Sequence, residues 1–271
     1  MADVVHHSDQ IDGVPVSWHS APAEGTPIVY VHGVPDSSAM WRPFLAVTGG
    51  IALDLPGFGD SVKAVTFPYS LAGYDGYMER FLDWLGVDRI DLVVHDWGAA
   101  ALGFAQRMPD RVERLVLINA LPLFAGHRWH GAARIWRSYV LGELLMGTIS
   151  LRMVRLALRR ANVNPIPEAR LREMYAKLDF GTQRAILKLH RSVRSGTLAA
   201  AGAGLGRIEA PALIVWGEAD PFIPASVADS YEQALGGPSE VVRLADAGHW
   251  PWLDRPDVID RVARFLARES G

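Results

Sequence analysis

Residues 93–99 read VVHDWGA, and they stand where a predicted strand, Asp91–His95, gives way to a predicted helix, Gly98–Gln106. A side chain on such a sharp turn is held clear of the sheet edge, and the helix N-terminus behind it stabilises negative charge. Gly98 is the small residue that lets the helix approach the strand. The pattern indicates that Asp96 is a nucleophile, although an aspartate that only caps the helix would look the same locally.

Short apolar runs alternate with helical patterns along most of the chain. After edge strands through Val14–Trp18, further strands are predicted at Pro27–His32, Ile51–Leu55, Arg114–Asn119, Ala212–Trp216 and Val241–Leu244, and helices at Leu71–Leu85 and Val258–Arg268. Continuous apolar strands separated by helices are typical of a parallel sheet that is covered on both faces. We therefore expect an α/β domain with a mostly parallel central sheet flanked by helices.

The pattern changes between Leu123 and Gly206, where strand-like runs disappear and arginines accumulate. Ile149–Arg160 is amphipathic, and Ala199–Gly206 predicts a flexible return to the sheet. We divide the chain into a core (1–122 and 207–271) and an inserted helical cap (123–206). The cap holds 14 Lys+Arg and 4 Asp+Glu, which gives it a net charge of +10. The remainder holds 13 Lys+Arg and 26 Asp+Glu, which gives it a net charge of −13. Such asymmetry fits either a basic unit resting on an acidic one, which we favour, or contact with nucleic acid or a membrane.

Composition limits the possible partners and compartments. The chain has 271 residues, of which 49% are hydrophobic, and none is a cysteine, so disulfides and thiolate metal sites are excluded. Zinc-finger spacing, a phosphate-binding glycine loop and aromatic residues interleaved with basic ones are missing, so a nucleic-acid partner is not expected. No apolar run reaches the ~18 residues that span a bilayer, and residues 1–10 lack a leader pattern. We expect a soluble cytoplasmic protein without membrane insertion, and the oligomeric state stays open.

Two later loops carry the partners that a nucleophile at Asp96 would need. Asp220 follows the strand at 212–216, with Glu218 as a competing acid, and His249 follows the strand at 241–244. The chain order of nucleophile, acid and histidine is that of the α/β-hydrolases. We therefore expect Asp96, Asp220 and His249 to meet at one edge of the sheet.

A third loop, His32-Gly33-Val34-Pro35, follows the early strand. In this arrangement one oxyanion donor comes from the residue after the nucleophile and another from this loop. The backbone N–H groups of Trp97 and Val34 are the candidates. The loop also predicts a tight turn with a cis Val34–Pro35 bond.

Outside the cap, nearly all of the chain resembles the epoxide hydrolase and haloalkane dehalogenase branch of the α/β-hydrolase superfamily. The matching stretches are His32–Pro35 with Trp41-Arg42 behind it, Asp54–Ser61, His95–Gly98 and Gly248–Trp250. His-Asp-Trp-Gly is specific to this branch, whereas Asp-x-Pro-Gly-x-Gly is shared across the superfamily. The resemblance implies the α/β-hydrolase fold with an inserted helical cap, a small hydrophobic substrate, and no metal or organic cofactor.

The chemistry of this branch explains why an aspartate replaces the commoner serine. A serine that displaced a leaving group from a saturated carbon would form an ether, which water cannot easily cleave, whereas a carboxylate forms an ester. His249 would then direct water onto the ester carbonyl while the oxyanion donors receive the charge. Asp220 would orient the imidazole and support its cationic form.

The leaving group distinguishes the two activities of the branch. Members that open epoxides use two cap tyrosines to hydrogen-bond or protonate the departing oxygen. This cap offers Tyr139 and Tyr175, and His190 stands where the second tyrosine is expected. A histidine can also donate a proton, and would titrate between about pH 5 and 8 if unperturbed. We expect Tyr139 and His190 to polarise an epoxide oxygen.

Members that release a halide surround it with N–H groups instead. The indole of Trp97 fits that role. Its usual partner is either an asparagine at the position of Val34, which is absent, or a cap tryptophan, for which Trp129 and Trp136 are available.

Two stretches, Gly248–Trp250 and Asp220–Phe222, look more like the epoxide hydrolases. We therefore predict hydrolysis of epoxides to vicinal diols, with haloalkane dehalogenation as the alternative. A non-catalytic ligand-binding homologue is a third interpretation, against which the complete set of Asp96, Asp220 and His249 argues.

Overall fold

The structure is a computed structural model that describes residues 2–267. Within these residues, eight strands form one sheet in the order β1-β2-β4-β3-β5-β6-β7-β8. The strands are β1 Val5–Ile11, β2 Val14–Ala21, β3 Ile28–Val31, β4 Gly50–Leu53, β5 Ile90–Asp96, β6 Val112–Ala120, β7 Ala212–Gly217 and β8 Ser239–Leu244. Strand β2 runs antiparallel to both of its neighbours, and all other neighbouring strands are parallel. The predicted mostly parallel sheet is confirmed.

Helices account for most of the remaining regular structure in the described residues. They are α1 Arg42–Thr48, α2 Leu71–Leu85, α3 Leu102–Arg107, α4 Gly131–Trp136, α5 Leu141–Gly147, α6 Leu151–Leu158, α7 Glu168–Ala176, α8 Phe180–Ser192, α9 Thr197–Ala201, α10 Ser226–Ala234, α11 Pro251–Asp254 and α12 Asp257–Leu266. Helix α2 has the predicted bounds, and the end predicted for the last helix at Arg268 lies outside the described residues. Between residues 2 and 267, no helix combines the length and apolarity needed to cross a membrane.

Both faces of the central strands β3, β5, β6 and β7 are buried, which is why these strands read as continuous apolar runs. In β3, Val29 and Val31 pack into one hydrophobic cluster and Tyr30 into a second cluster on the opposite face. All seven residues of β5 are buried. The functional groups can therefore lie only where the strands end.

Residues 123–206, all of which the structure describes, contain helices α4 to α9 and no strand. The flexible return predicted at Ala199–Gly206 is wrong, because helix α9 ends within it and a 3-10 helix begins at Leu205. The amide of Gln106 fixes this stretch, since it donates to the Ala201 carbonyl at 2.8 Å and accepts from the Gly204 N–H at 2.7 Å. The division into core and cap stays a prediction.

The approach of the segment after β5 to strand β3 depends on Gly98. A Cβ atom at this position would lie 2.3 Å from the carbonyl oxygen of Val31. Because that oxygen belongs to the backbone of a buried strand, no side-chain movement could relieve the contact. The expected role of Gly98 as a spacer between helix and strand is confirmed.

We predict that Gly98→Ala lowers the free energy of unfolding by about 1–3 kcal/mol, the usual penalty for overpacking a filled site. Gly76→Ala in α2 is the matched control, since the nearest atom to its added Cβ would be the Arg80 guanidinium at 3.5 Å. Alanine there should raise the free energy of unfolding by up to about 1 kcal/mol through helix propensity. Urea unfolding of both variants measures the difference, and equal stabilities would contradict the spacer role.

Candidate active site

Asp96 ends strand β5 with a backbone that ordinary residues rarely adopt. Its φ is 50° and its ψ is −123°, and a 3-10 helix, Trp97–Ala101, follows at once and continues into α3. The turn places the carboxylate against the loop after β3, where a Cβ on Gly33 would lie 2.4 Å from the Asp96 Cβ. The side chain of Asp96 thus packs closely against Gly33, and the residue is only 7% exposed.

The two predicted oxyanion donors converge on this carboxylate. The Val34 N–H donates to Oδ1 of Asp96 at 2.8 Å, and the Trp97 N–H also hydrogen-bonds to the Asp96 carboxylate. The Val34–Pro35 bond is cis, as predicted. Two N–H groups that donate to one carboxylate can stabilise negative charge that develops on it.

The predicted acid and histidine meet at the neighbouring strand ends. Oδ2 of Asp220 lies 2.8 Å from Nδ1 of His249. Its Oδ1 accepts from the backbone N–H groups of Phe222 and Ile223, at 2.7 and 3.1 Å. Glu218 is exposed and lies 3.5 Å from a surface arginine instead. The structure therefore brings Asp220, and not Glu218, to the imidazole.

Asn119, at the end of β6, is a site residue that the sequence analysis missed. Its Nδ2 donates to Oδ2 of Asp220 at 2.7 Å, and its Oδ1 accepts from the Gly217 N–H at 2.9 Å. It therefore ties the Asp220 loop to the strand end. The sequence did contain a signal for Asn119: it is a polar residue at the end of an apolar strand. Such a residue lies at the same sheet edge as the other site residues.

Burial and charge act in opposite directions on the two central groups. Burial raises the pKa of Asp96, while His249 and the two N–H donors oppose that rise. Burial also disfavours the His249 cation, but the charge and hydrogen bond of Asp220, helped by the charge of Asp96, outweigh it and raise the pKa of His249. The imidazole is therefore a stronger base than an isolated one.

Asp96 and His249 open into a cavity of about 190 Å³. Its apolar lining includes Leu121, Leu145, Met146, Ile149, Met153, Val154, Met174, Leu178 and Ile186. An engineered apolar cavity of about 150 Å³ accommodates benzene. The shape and lining therefore suit a small apolar molecule.

Tyr139 does not reach this cavity. It is 76% exposed, and the Arg191 guanidinium stacks on its ring at 4.5 Å. The short turn between α4 and α5 carries it to the outer side of these helices. The expectation that Tyr139 faces the reacting centre is wrong.

His190 lines the cavity but cannot supply a proton. Its Nδ1 lies 2.8 Å from the Ile186 carbonyl oxygen, one helical turn earlier. Because a carbonyl only accepts, Nδ1 carries the proton of the neutral ring and Nε2 is left as an acceptor. Burial lowers the pKa of His190 to about 3. The expected donor role and the expected titration between pH 5 and 8 are both wrong.

Three other predicted cap residues do line the cavity: Tyr175, Trp129 and Trp136. The Trp129 ring stacks on Trp97, with centroids 5.8 Å apart and planes at 15°. The Nε1 atom of Trp136 is buried without a partner, so a ligand in the cavity does not meet it. The Nε1 atoms of Trp97 and Trp129, in contrast, are not fully buried. No atom of residues 2–267 accepts a hydrogen bond from either of them.

His130 is a second residue that the sequence analysis missed. The Ala133 N–H donates to its Nδ1 at 3.4 Å where α4 begins, so the proton of the neutral ring sits on Nε2. Burial lowers its pKa to about 4, which keeps the ring neutral near pH 7. The ring lines the cavity and packs on Phe222, which in turn packs on His249. His130 is therefore a neutral N–H donor in the cavity wall.

The described residues contain one group of possible metal ligands, namely His6, Asp54 and Asp60. Both oxygens of Asp54 already accept backbone N–H bonds, and Asp60 pairs with Lys177 at 2.6 Å. None of the three lines the cavity.

Comparison with known proteins identifies the family of this chain. The family model for the alpha/beta hydrolase fold matches residues 26–256. The chain is 25% identical to epoxide hydrolase 3 of Xenopus tropicalis, over 90% of this chain and 71% of that protein. It is 27% identical to a haloalkane dehalogenase of Mycolicibacterium paratuberculosis, over 96% of this chain and 91% of that protein. The crystal structure of a haloalkane dehalogenase from Bradyrhizobium elkani superposes with a TM-score of 0.84 at 25% identity and 98% coverage of both chains. The predicted resemblance to this branch is confirmed, with both activities among the relatives.

We predict that Asp220→Asn lowers the pKa of His249 relative to the wild type, because it removes the charge and the hydrogen bond that oppose the effect of burial most strongly. Glu218→Gln, which removes a carboxylate from the same loop, should leave that pKa unchanged. NMR titration of the His249 ring in each variant measures both effects. A pKa that stays high in Asp220→Asn and falls in Glu218→Gln would reverse the assignment.

Proposed function

The chain belongs to the α/β-hydrolase fold family, and we propose that it is a hydrolase of the epoxide hydrolase and haloalkane dehalogenase branch that acts through an ester on Asp96. One observation carries this proposal: a buried carboxylate and the paired His249 and Asp220 face the same apolar cavity. The substrate is a small apolar molecule with a leaving group on a saturated carbon.

In the first step, an oxygen of Asp96 attacks the carbon and the leaving group departs with the bonding electrons. The Val34 N–H holds Oδ1 at 2.8 Å, so Oδ2 is the candidate attacking atom. Burial that raises the pKa of Asp96 also leaves its anion weakly solvated, which increases its nucleophilicity.

In the second step, His249 removes a proton from water while the oxygen of that water attacks the ester carbonyl. The N–H groups of Val34 and Trp97 stabilise the resulting oxyanion. Its collapse breaks the ester C–O bond, the departing oxygen takes the proton held by His249 to give the alcohol, and the new carboxyl group of Asp96 loses its proton to restore the carboxylate. Ester formation neutralises Asp96, whose charge helps to raise the pKa of His249. The His249 imidazolium therefore loses its proton more readily, and the neutral ring is available when a base is required.

For the leaving group, the pair of Trp97 and Trp129 favours a halide. A halide needs hydrogen bonds but no proton, and the two stacked indoles offer N–H groups without protein partners. The guanidinium of Arg137 lies 5.0 Å from the Trp129 ring centroid and adds positive potential nearby. Dehalogenation would release one halide and one proton for each alcohol formed.

Epoxide opening is the second candidate, and it depends on Tyr175. Among the described side chains that line the cavity, Tyr175 alone carries a hydroxyl. A phenol can protonate a departing alkoxide, which an indole is too weak an acid to do. The Nε2–H of His130 could share the hydrogen bonding. Diol formation by this route releases no net proton.

We predict that His249→Gln accumulates the ester, because hydrolysis loses its base while attack by Asp96 does not. Intact-mass spectrometry after incubation with excess 1-bromobutane or styrene oxide should show one covalent adduct, on a peptide that contains Asp96. The double variant Asp96→Asn/His249→Gln should show none. If calorimetry detects binding but His249→Gln forms no adduct, the protein is a ligand-binding homologue and the ester mechanism is excluded.

We further predict that Trp129→Phe slows bromide release about 10- to 150-fold, the effect of losing one hydrogen bond to an anion, worth about 1.5–3 kcal/mol. Trp136→Phe is the matched control and should change it little, because the Trp136 N–H does not face the cavity. If epoxides are the substrates, Tyr175→Phe should instead slow diol formation about 10²–10⁴-fold. Bromide and diol assays on all three variants decide between the two activities, and rates that respond to neither position would exclude both donor assignments.

A further inference from the structure

The positive charge of the cap is not balanced by the acidic core. Of the ion pairs within residues 2–267, only Arg170 with Asp36 and Lys177 with Asp60 join a cap cation to a core carboxylate. Two more pairs across the same boundary run the other way, from Arg42 and Lys63 to cap carboxylates. Ion pairs between the cap and the acidic core therefore do not account for the net charge of +10 on the cap.

Several of these cations lie on the outer face of helix α6 and just beyond its end. Arg152, Leu156, Arg159 and Arg160 are exposed at helical spacing. In the described chain, none of the three arginines has a carboxylate within ion-pair distance. Leu156 lies among them and is 60% exposed. The opposite face of the helix lines the cavity through Met153, Val154 and Leu158.

The preceding segment adds a second group of exposed apolar side chains. Tyr139, Val140, Leu141 and Leu144 are 76%, 67%, 59% and 60% exposed. Leu145 and Met146 of helix α5 line the cavity, whereas the exposure of Leu141 and Leu144 shows that they face solvent, as Leu156 of α6 does. The Arg191 guanidinium stacks on Tyr139 in this group, and exposed apolar side chains that cluster in this way mark an interaction surface.

We propose that the outer side of α5 and α6, together with Tyr139 and Val140, docks on an anionic lipid bilayer. Arginines of this outer cap face would bind lipid phosphates, and its leucines would enter the boundary between headgroups and acyl chains, as in interfacial amphipathic helices. The positive charge of this surface favours an anionic bilayer over a second copy of the chain. In a two-fold contact between two copies, the same arginines would face and repel each other. A bilayer accepts separate protruding side chains without needing a matching groove.

Docking here would place the wall of the substrate cavity against the phase in which apolar molecules dissolve. Both helices contribute side chains to the cavity from their inner sides. The surface does not involve Asp96 or His249, so lipid binding is independent of the proposed chemistry and can be tested without a substrate.

Co-sedimentation of the full chain with vesicles tests the proposal. We expect binding to phosphatidylcholine vesicles that contain phosphatidylglycerol, weak binding to phosphatidylcholine alone, and a loss of binding as salt is raised. Arg152→Gln/Arg159→Gln/Arg160→Gln should weaken binding roughly 100-fold, since each cation near an anionic surface contributes about fivefold. Arg80→Gln/Arg207→Gln/Arg264→Gln changes the same charge at exposed core positions and should weaken it far less.

A second pair of variants tests the contribution of the exposed leucines to vesicle binding. Leu141→Ser/Leu144→Ser/Leu156→Ser should also weaken binding, whereas Phe180→Ser, at a side chain that is 81% exposed elsewhere in the cap, should not. All positions are exposed, so circular dichroism should show unchanged folding. Binding that is equal on neutral and anionic vesicles, or that survives the Arg152/Arg159/Arg160 substitutions, would overturn the proposal. A concentration-dependent dimer that the leucine substitutions abolish would assign the face to a second copy of the chain and overturn it as well.

Discussion

Asp96 holds its φ at 50° between a buried strand and a tight 3-10 helix, a conformation that costs about 1–3 kcal/mol for a residue with a side chain. The strain persists because the surroundings leave no alternative: Gly33 and Gly98 have no space for a Cβ atom. In an unstrained strand, successive side chains point to one face or the other. The turn instead presents the carboxylate at the strand end, where two backbone N–H groups and a cavity meet it.

The same placement creates an electrostatic problem that the neighbouring loops solve. Asp96 and His249 are both buried, and burial opposes the charged form of each. Asp220 supports the imidazolium only if its own charge is satisfied, and Asn119 with two backbone N–H groups does this. The polar network therefore extends across the ends of three parallel strands, β5, β6 and β7, with the His249 loop after β8 completing it.

The sequence predicts this part of the site because topology fixes it. Residues that follow parallel strands share one sheet edge, so Asp96, Asp220 and His249 could be placed together before any helix was oriented. The cap obeys no such rule, since the rotation of each short helix depends on its tertiary contacts. Tyr139 turns outward onto Arg191, and the proton of His190 is committed to a carbonyl of its own helix. Neither the outward direction of Tyr139 nor the hydrogen bond of His190 can be predicted from the neighbouring residues in the sequence.

Helices α5 and α6 raise a different question, because their inner apolar faces already account for their packing. A helix that only covered a cavity would present polar residues outward, yet Leu141, Leu144 and Leu156 are each about 60% exposed. Exposed leucines contribute little burial to the folded state and increase the risk of aggregation. Folding does not explain them. Within the described residues, Leu156 lies among arginines that have no carboxylate within ion-pair distance, which fits the proposed contact with a bilayer. The segment that lines the cavity on one side would then face the bilayer on the other.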